Sequence, residues 1–160
     1  MNITCYPAKL SGTVAAIPSK SDVHRKLICA ALSDNGGFLP LRAPHCADIE
    51  ATLRCLSALG AGFTQTDAGV HITPITRQAH ADLDCGESGS TLRFMISVAS
   101  AFALYDGAKG CERIIFETEG RLYDRPLDEL ESALLAHGIR MVRDDAARRI
   151  IIRSEERRVG

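Results

Sequence analysis

An internal repeat limits the fold of this chain more than any other feature, because a repeat unit cannot bury its apolar face alone and must stack on a neighbour. The repeat reads strand, helix, strand, helix, strand, strand. In the first copy, Val23, Leu27, Ala30 and Ala31 recur at helical spacing from Ser21 until Asn35-Gly36-Gly37 ends the pattern. Phe38 to Leu41 reads as a strand, Asp48 stands where an N-cap belongs, and Ile49, Leu53, Leu56 and Leu59 mark a second helix closed by Gly60. Gly62 to Thr66 and Val70 to Thr73 flank Asp67-Ala68-Gly69, the signature of a hairpin. The second copy has a strand at Ala81 to Asp84, a helix from Gly89 with Leu92, Ile96, Ala99 and Ala103 on one face, and a strand at Arg113 to Glu117. Its second helix is predicted to begin at Pro126, a favourable first helical position, with Gly138 just past its end. Ile139 to Arg143 and Arg149 to Ile152 then form the second hairpin, and Leu134-Leu-Ala-His-Gly138 echoes Leu56-Ser-Ala-Leu-Gly60.

Both ends fall outside this scheme. The first 16 residues, with an alternating piece near Thr13 to Ile17, are expected to pair with strands that the sequence does not contain. Ser154 to Gly160 is polar and aperiodic, and reads as a truncation junction or a foreign tail.

Length and charge narrow the function classes. A chain of 160 residues that is 46% hydrophobic can bury a core of single-domain size. With 19 basic and 20 acidic residues there is no global field to collect nucleic acid or an anionic membrane, so any anion site must be local. Aromatic content of 5% without Trp argues against a base-stacking surface, and no apolar run is long enough to span a bilayer. Six cysteines without a C-x-x-C pair, and no signal-peptide pattern, read as reduced thiols in a cytoplasmic protein.

Three segments carry candidate chemistry. Pro18-Ser19-Lys20-Ser21 feeds the first helix, whose N-terminal N–H groups and dipole favour an anion; Lys20 adds charge, Ser21 a hydroxyl, and Arg25 lies one turn on. The plain alternative is a serine cap flanked by solvated Lys and Arg. Cys85-Gly86-Glu87-Ser88-Gly89-Ser90-Thr91 occupies the same place in the second copy, with glycines that admit close approach and three hydroxyls. It lacks the G-K-[ST] of a P-loop, and it could equally be a capping segment. In Gly120 to Pro126, Arg125 precedes the predicted helix start, where a cation opposes the dipole unless an anion intervenes; an exposed Arg125 paired with Asp124 is the alternative. The five histidines have no metal-ligand spacing, so no metal is expected and they read as surface or packing residues.

Together, Pro18-Ser-Lys-Ser with Arg25, Asp48-Ile-Glu-Ala-Thr-Leu through Gly60, Gly86-Glu-Ser-Gly-Ser-Thr-Leu-Arg93 and Asp124-Arg-Pro126 resemble the 5-enolpyruvylshikimate-3-phosphate synthase family from about Leu10 to Ile152. The resemblance implies an α/β fold of repeated β-α-β-α-β-β units, three per domain, of which this chain holds two: about 18–76 and 77–153. Residues 1–17 would belong to a second domain. It also implies transfer of the enolpyruvyl group from phosphoenolpyruvate to shikimate-3-phosphate by a monomeric parent needing no cofactor, with the chain alone inactive. By the same resemblance, Lys20 contacts phosphoenolpyruvate, Ser21 and Arg25 hold the shikimate-3-phosphate carboxylate, Glu87, Ser88, Gly89 and Ser90 form the phosphoenolpyruvate loop, and Arg125 binds phosphoenolpyruvate. Glu87 stands where Asn is usual, and Pro18 where Gly is common. The related UDP-N-acetylglucosamine enolpyruvyl transferase normally has Lys-Asn at Lys20-Ser21. A non-catalytic anion-binding module of the same fold is the alternative from another class.

Overall fold

A computed structural model describes residues 3–9, 11–14, 16–43, 45–76, 80–105 and 113–154. The first unit comprises α1 (Lys20–Leu32), β1 (Gly37–Leu39), α2 (Ala47–Ala58), β2 (Gly62–Gln65) and β3 (Val70–Thr73). The second comprises β4 (His80–Asp84), α3 (Gly89–Tyr105), β5 (Arg113–Glu117), α4 (Asp128–Ala136), β6 (Ile139–Asp144) and β7 (Arg149–Ser154). The strands form two sheets, β1-β3-β2 and β4-β5-β7-β6, so the last three strands of each unit take the same order. β4 and β5 run parallel, which requires the α3 crossover, and the remaining pairs are antiparallel. The repeat therefore holds in three dimensions with one difference. Among the described residues nothing before α1 forms a strand, and Val14 and Ile17 are exposed, so the first unit has no counterpart of β4.

Both second helices end alike. Gly60 and Gly138 follow the C-caps Leu59 and His137 with φ of 98° and 76°, the left-handed conformation that glycine adopts without a Cβ penalty. Two helix starts differ from the sequence reading. α2 is capped by Cys46, and Asp48 lies inside its first turn, where the carboxylate meets both the helix dipole and Lys20 of α1. α4 begins at Asp128, not Pro126, because Asp128, Glu129 and Glu131 fill its first turn favourably while the Pro126 carbonyl accepts a hydrogen bond from Arg93 of α3. α1 likewise starts at Lys20, one residue early, and β1 ends at Leu39.

The core runs through both units. α2 is its centre, packed against α1, α3 and β4 with Cys55 and Leu56 fully buried. Cys55 also donates from Sγ to the Asp84 carbonyl, tying α2 to the end of β4. Leu27, Leu83, Leu92, Met95, Ile96 and Phe116 belong to the same buried cluster. Cys5, Cys29 and Cys46 are exposed, Cys55 and Cys85 buried, and all five are free thiols. Cys111, the Ala103 side chain and residues 155–160 lie outside what is described. No helix among the described residues is long and apolar enough to cross a membrane.

Candidate anion cleft

The loop between β4 and α3 is built by backbone chemistry. Cys85 N–H donates to the Glu117 carbonyl, extending the parallel pairing by one residue, and Gly86 N–H turns back onto Asp84 Oδ1 at 2.9 Å. Gly86 sits at φ 51°, which suits glycine, and its carbonyl accepts from Glu119 N–H, fastening the loop to the 118–121 turn. Ser88 caps α3 with its hydroxyl accepting from Thr91 N–H. That leaves the N–H groups of Gly89 and Ser90, the first two residues of the helix, without an acceptor among the described residues.

These donors open on a cleft of about 710 Å³ lined by Lys20, Asp48, Arg54, Glu87, Ser88, Gly89, Ser90, Glu119 and Arg125, among others. Lys20 Nζ pairs with Asp48 Oδ2 at 2.8 Å, and Arg54 Nε with Asp84 Oδ2 at 2.8 Å. Arg125 forms no ion pair among the described residues. Its guanidinium lies against Gly89, where a β-carbon would collide with Nη1. The loop carrying Arg125 is held from below by the β6–β7 hairpin. Arg143 donates to the Tyr123 and Arg125 carbonyls, Arg148 to the Gly120 carbonyl and Asp124, and Tyr123 Oη to Asp145. Both guanidiniums also stack over the Tyr123 ring, whose burial and bond to Asp145 push its pKa up to about 12. A cation is thus placed over a helix N-terminus that already favours anions.

Charge states follow from neighbours. The hydrogen bond and charge of Asp48 hold Lys20 above its ordinary pKa, while Lys20 and then Ser88 hold Asp48 below its own. Burial pushes His24 down, so it is neutral near pH 7. Opposed to Lys20, Arg54 and Arg125 stand Asp48, Glu87 and Glu119, so the cleft is suited to a ligand with both anionic and hydroxyl groups.

Of the residues singled out by sequence, Lys20, Glu87, Ser88, Gly89, Ser90 and Arg125 come together here. Ser21 and Arg25 do not line the cleft and are exposed on α1. Arg125 reaches the start of α3 rather than that of α4, which transfers to α3 the dipole conflict expected from its sequence position. Sequence reasoning missed Asp48, read as a cap, together with Arg54 and Glu119. His24, read as surface or packing, is buried, and sequence reasoning missed only that it lies against Thr52 and Ser90 in a polar chain. The 28-residue separation of Lys20 from Asp48 and of His24 from Thr52 was the available signal: two pairs in constant register across two helices.

Fold and cleft define a class: a repeat-built α/β protein whose unit-to-unit junction brings a helix N-terminus, cations and carboxylates to one cleft. The family model for EPSP synthase (3-phosphoshikimate 1-carboxyvinyltransferase) matches residues 5–159. The 3-phosphoshikimate 1-carboxyvinyltransferase of Clostridium beijerinckii is 38% identical over 148 residues, covering 87% of this chain and 32% of that protein. The protein of that name from Clostridium botulinum strain Alaska E43 is 40% identical over 131 residues, covering 77% and 28%. EPSP synthase from Acinetobacter baumannii superposes with a TM-score of 0.64 at 17% identity, over 84% of this chain and 30% of that one, which shows the shared fold. The chain belongs to the EPSP synthase family. It spans about a third of the length of the curated relatives it matches.

Proposed function

We propose that this chain supplies one wall of a site that transfers the enolpyruvyl group of phosphoenolpyruvate to the 5-hydroxyl of shikimate-3-phosphate, releasing phosphate. One observation carries this reading: Arg125, Lys20 and the α3 N-terminus, from three separate segments, face one cleft. The reaction adds the hydroxyl to C2 of phosphoenolpyruvate with protonation at C3, then expels phosphate from a tetrahedral intermediate. Phosphate and carboxylate charges must be clamped throughout, which Lys20, Arg125 and the Gly89 and Ser90 N–H groups are placed to do. Ser21 and Arg25 serve a shikimate-3-phosphate carboxylate approaching α1 from its exposed side. Lys20 exchanges part of its bond to Asp48 for the ligand, and Glu87 accepts from a substrate hydroxyl.

The general acid and base and the opposite wall come from the part of the relatives' length that this chain does not match. In this reading residues 1–17 pair with a second domain, and 18–76 and 77–153 are two of three units of the first. The whole protein works as a cytoplasmic monomer without a cofactor. Calorimetric titration of the 160-residue chain tests the proposal. Shikimate-3-phosphate and phosphoenolpyruvate should each bind at about millimolar, roughly 4 kcal/mol, as half-sites do, and Arg125→Ala should abolish the phosphoenolpyruvate signal. Tight shikimate-3-phosphate binding without phosphoenolpyruvate would mark a dedicated binding module, and product formation by the chain alone would disprove the one-wall reading.

A further inference from the structure

The buried polar chain behind the cleft uses residues to which the functional reading gives no role. His24 Nδ1 lies 2.7 Å from Thr52 Oγ1, Thr52 Oγ1 lies 2.9 Å from Thr91 Oγ1, and His24 Nε2 lies 3.2 Å from Ser90 Oγ. His24, Thr52 and Thr91 are fully buried. Proton directions in this chain are constrained by counting. The Thr91 hydroxyl has one hydrogen, which goes to the Asp48 carbonyl at 3.2 Å or to Ser88 Oγ at 2.8 Å, and in either case Thr52 donates to Thr91. Thr52 then has only a lone pair for His24, which must carry its proton on Nδ1. Nε2 is left bare and accepts from Ser90. The single hydrogen of Ser90 therefore points inward, and the oxygen turns lone pairs toward the cleft, the wrong polarity for an anion at the α3 N-terminus.

We propose that His24 is a positioning residue that sets the donor direction of Ser90: an anion seated at the start of α3 draws a solvent proton onto Nε2, and Ser90 turns its hydrogen onto the anion. This rests on the reading of that helix start as an anion site. The imidazolium so formed donates from Nδ1 to Thr52 and from Nε2 to Ser90, so both ring nitrogens stay bonded. The charged groups facing His24 are Lys20 on its own helix, which opposes the added charge, and Asp48 on α2, which favours it. From α3, the groups near the ring are Ser90 and Phe94, whose ring lies 6.2 Å away, and neither titrates near neutral pH. In the free protein burial keeps the imidazole neutral, and the incoming negative charge reverses that balance.

Nitrogen-15 NMR of the histidine rings in the 160-residue chain tests this, with inorganic phosphate and then phosphoenolpyruvate as probes. Free protein should show His24 protonated on Nδ1 and bare on Nε2. Saturating phosphate should protonate Nε2 and raise the proton affinity of His24 about tenfold, the scale of one charge-assisted hydrogen bond. Ser90→Ala should bind phosphate more weakly and lose that rise, whereas a rise retained in Ser90→Ala would reduce the effect to bulk field and overturn the proposal. Amide shifts at Gly89 and Ser90 with Nε2 still bare overturn this inference alone. Gly89 and Ser90 amides unmoved by either probe overturn both it and the functional reading beneath it.

Discussion

The second helices of the two units occupy the same place in the repeat and are buried very differently. α2 hides Ile49, Ala51, Thr52, Cys55 and Leu56 against α1 on one side and β4 and α3 on the other. α4 buries Leu134 alone, leaves Leu135 54% exposed, and packs mainly on β6. Between α3 and α4 lies an open groove of about 740 Å³ bordered by Phe94, Leu127 and Leu130. The local sequences do not fully explain this: both helices keep an apolar residue at Ile49/Leu127 and Leu56/Leu134 and end in the same glycine motif, although Glu129 and Glu131 stand where α2 has Ala51 and Leu53. The next unit does. Burial of a second helix in this repeat is a nearest-neighbour property, contributed by whatever stacks on its outer face.

That comparison fixes the largest expected effect. Leu56 and Leu134 are equivalent in the repeat, fully buried and 8% exposed respectively. Leu56→Ala should cost about 4–5 kcal/mol, the upper end for a buried leucine, because α1, α3 and the sheet hold the cavity open. Leu134→Ala should cost about 2 kcal/mol, since one side of α4 is free to relax. Urea midpoints of the two variants decide the matter. Equal costs would mean that each helix is stabilised within its own unit, and the neighbour argument would fail.

The helix starts differ as sharply, with Lys20 at the head of α1 and Gly89 at the head of α3. Gly89→Ala inserts a methyl where the Arg125 guanidinium rests, and the flexible end of that side chain must swing away. Phosphate or phosphoenolpyruvate affinity should fall about tenfold, equivalent to about 1.4 kcal/mol, with the urea midpoint within about 0.5 kcal/mol of the parent. Unchanged affinity would place the anion elsewhere in the cleft and separate Arg125 from the α3 start.

Much of this was legible from periodicity. All four helices, both hairpins and the β5 strand follow from spacing and from glycine and turn signals, and the repeat correctly paired Gly60 with Gly138. What was not legible depends on who sits beside whom. Asp48 has the composition of an N-cap, and its real role shows only when α1 lies across α2. Arg125 is adjacent to α4 in sequence but serves α3 because the β6–β7 hairpin props up its loop. Among the described residues the first unit shows no counterpart of β4, for a related reason: an alternating segment such as Thr13 to Ile17 becomes a strand only beside a partner.

The smallest predicted effect separates the acids that open the two second helices. Asp48 pairs with Lys20, whereas Asp128 at the head of α4 forms no ion pair among the described residues. Because the Asp48 pKa is lowered in the folded state, its contribution is present above the ordinary value of 3.8 and is lost as pH falls through the lower folded value. Lys20 is shifted the other way, so its contribution is complete below 10.5 and is lost as pH rises through its higher folded value. The side chains are 30% and 48% exposed, so solvent screening should limit the pair to about 0.2–1 kcal/mol. Asp48→Asn should therefore lower the urea midpoint between those limits, match the parent in strong acid, and lose the alkaline fall. Asp128→Asn should keep that alkaline fall in full, because Lys20 retains its partner, and 1 M salt should narrow the gap between parent and Asp48→Asn. A loss above about 2 kcal/mol in Asp48→Asn would exceed what an exposed pair supplies, and would show that the Asp48 bond to Ser88 anchors the whole junction between the two units.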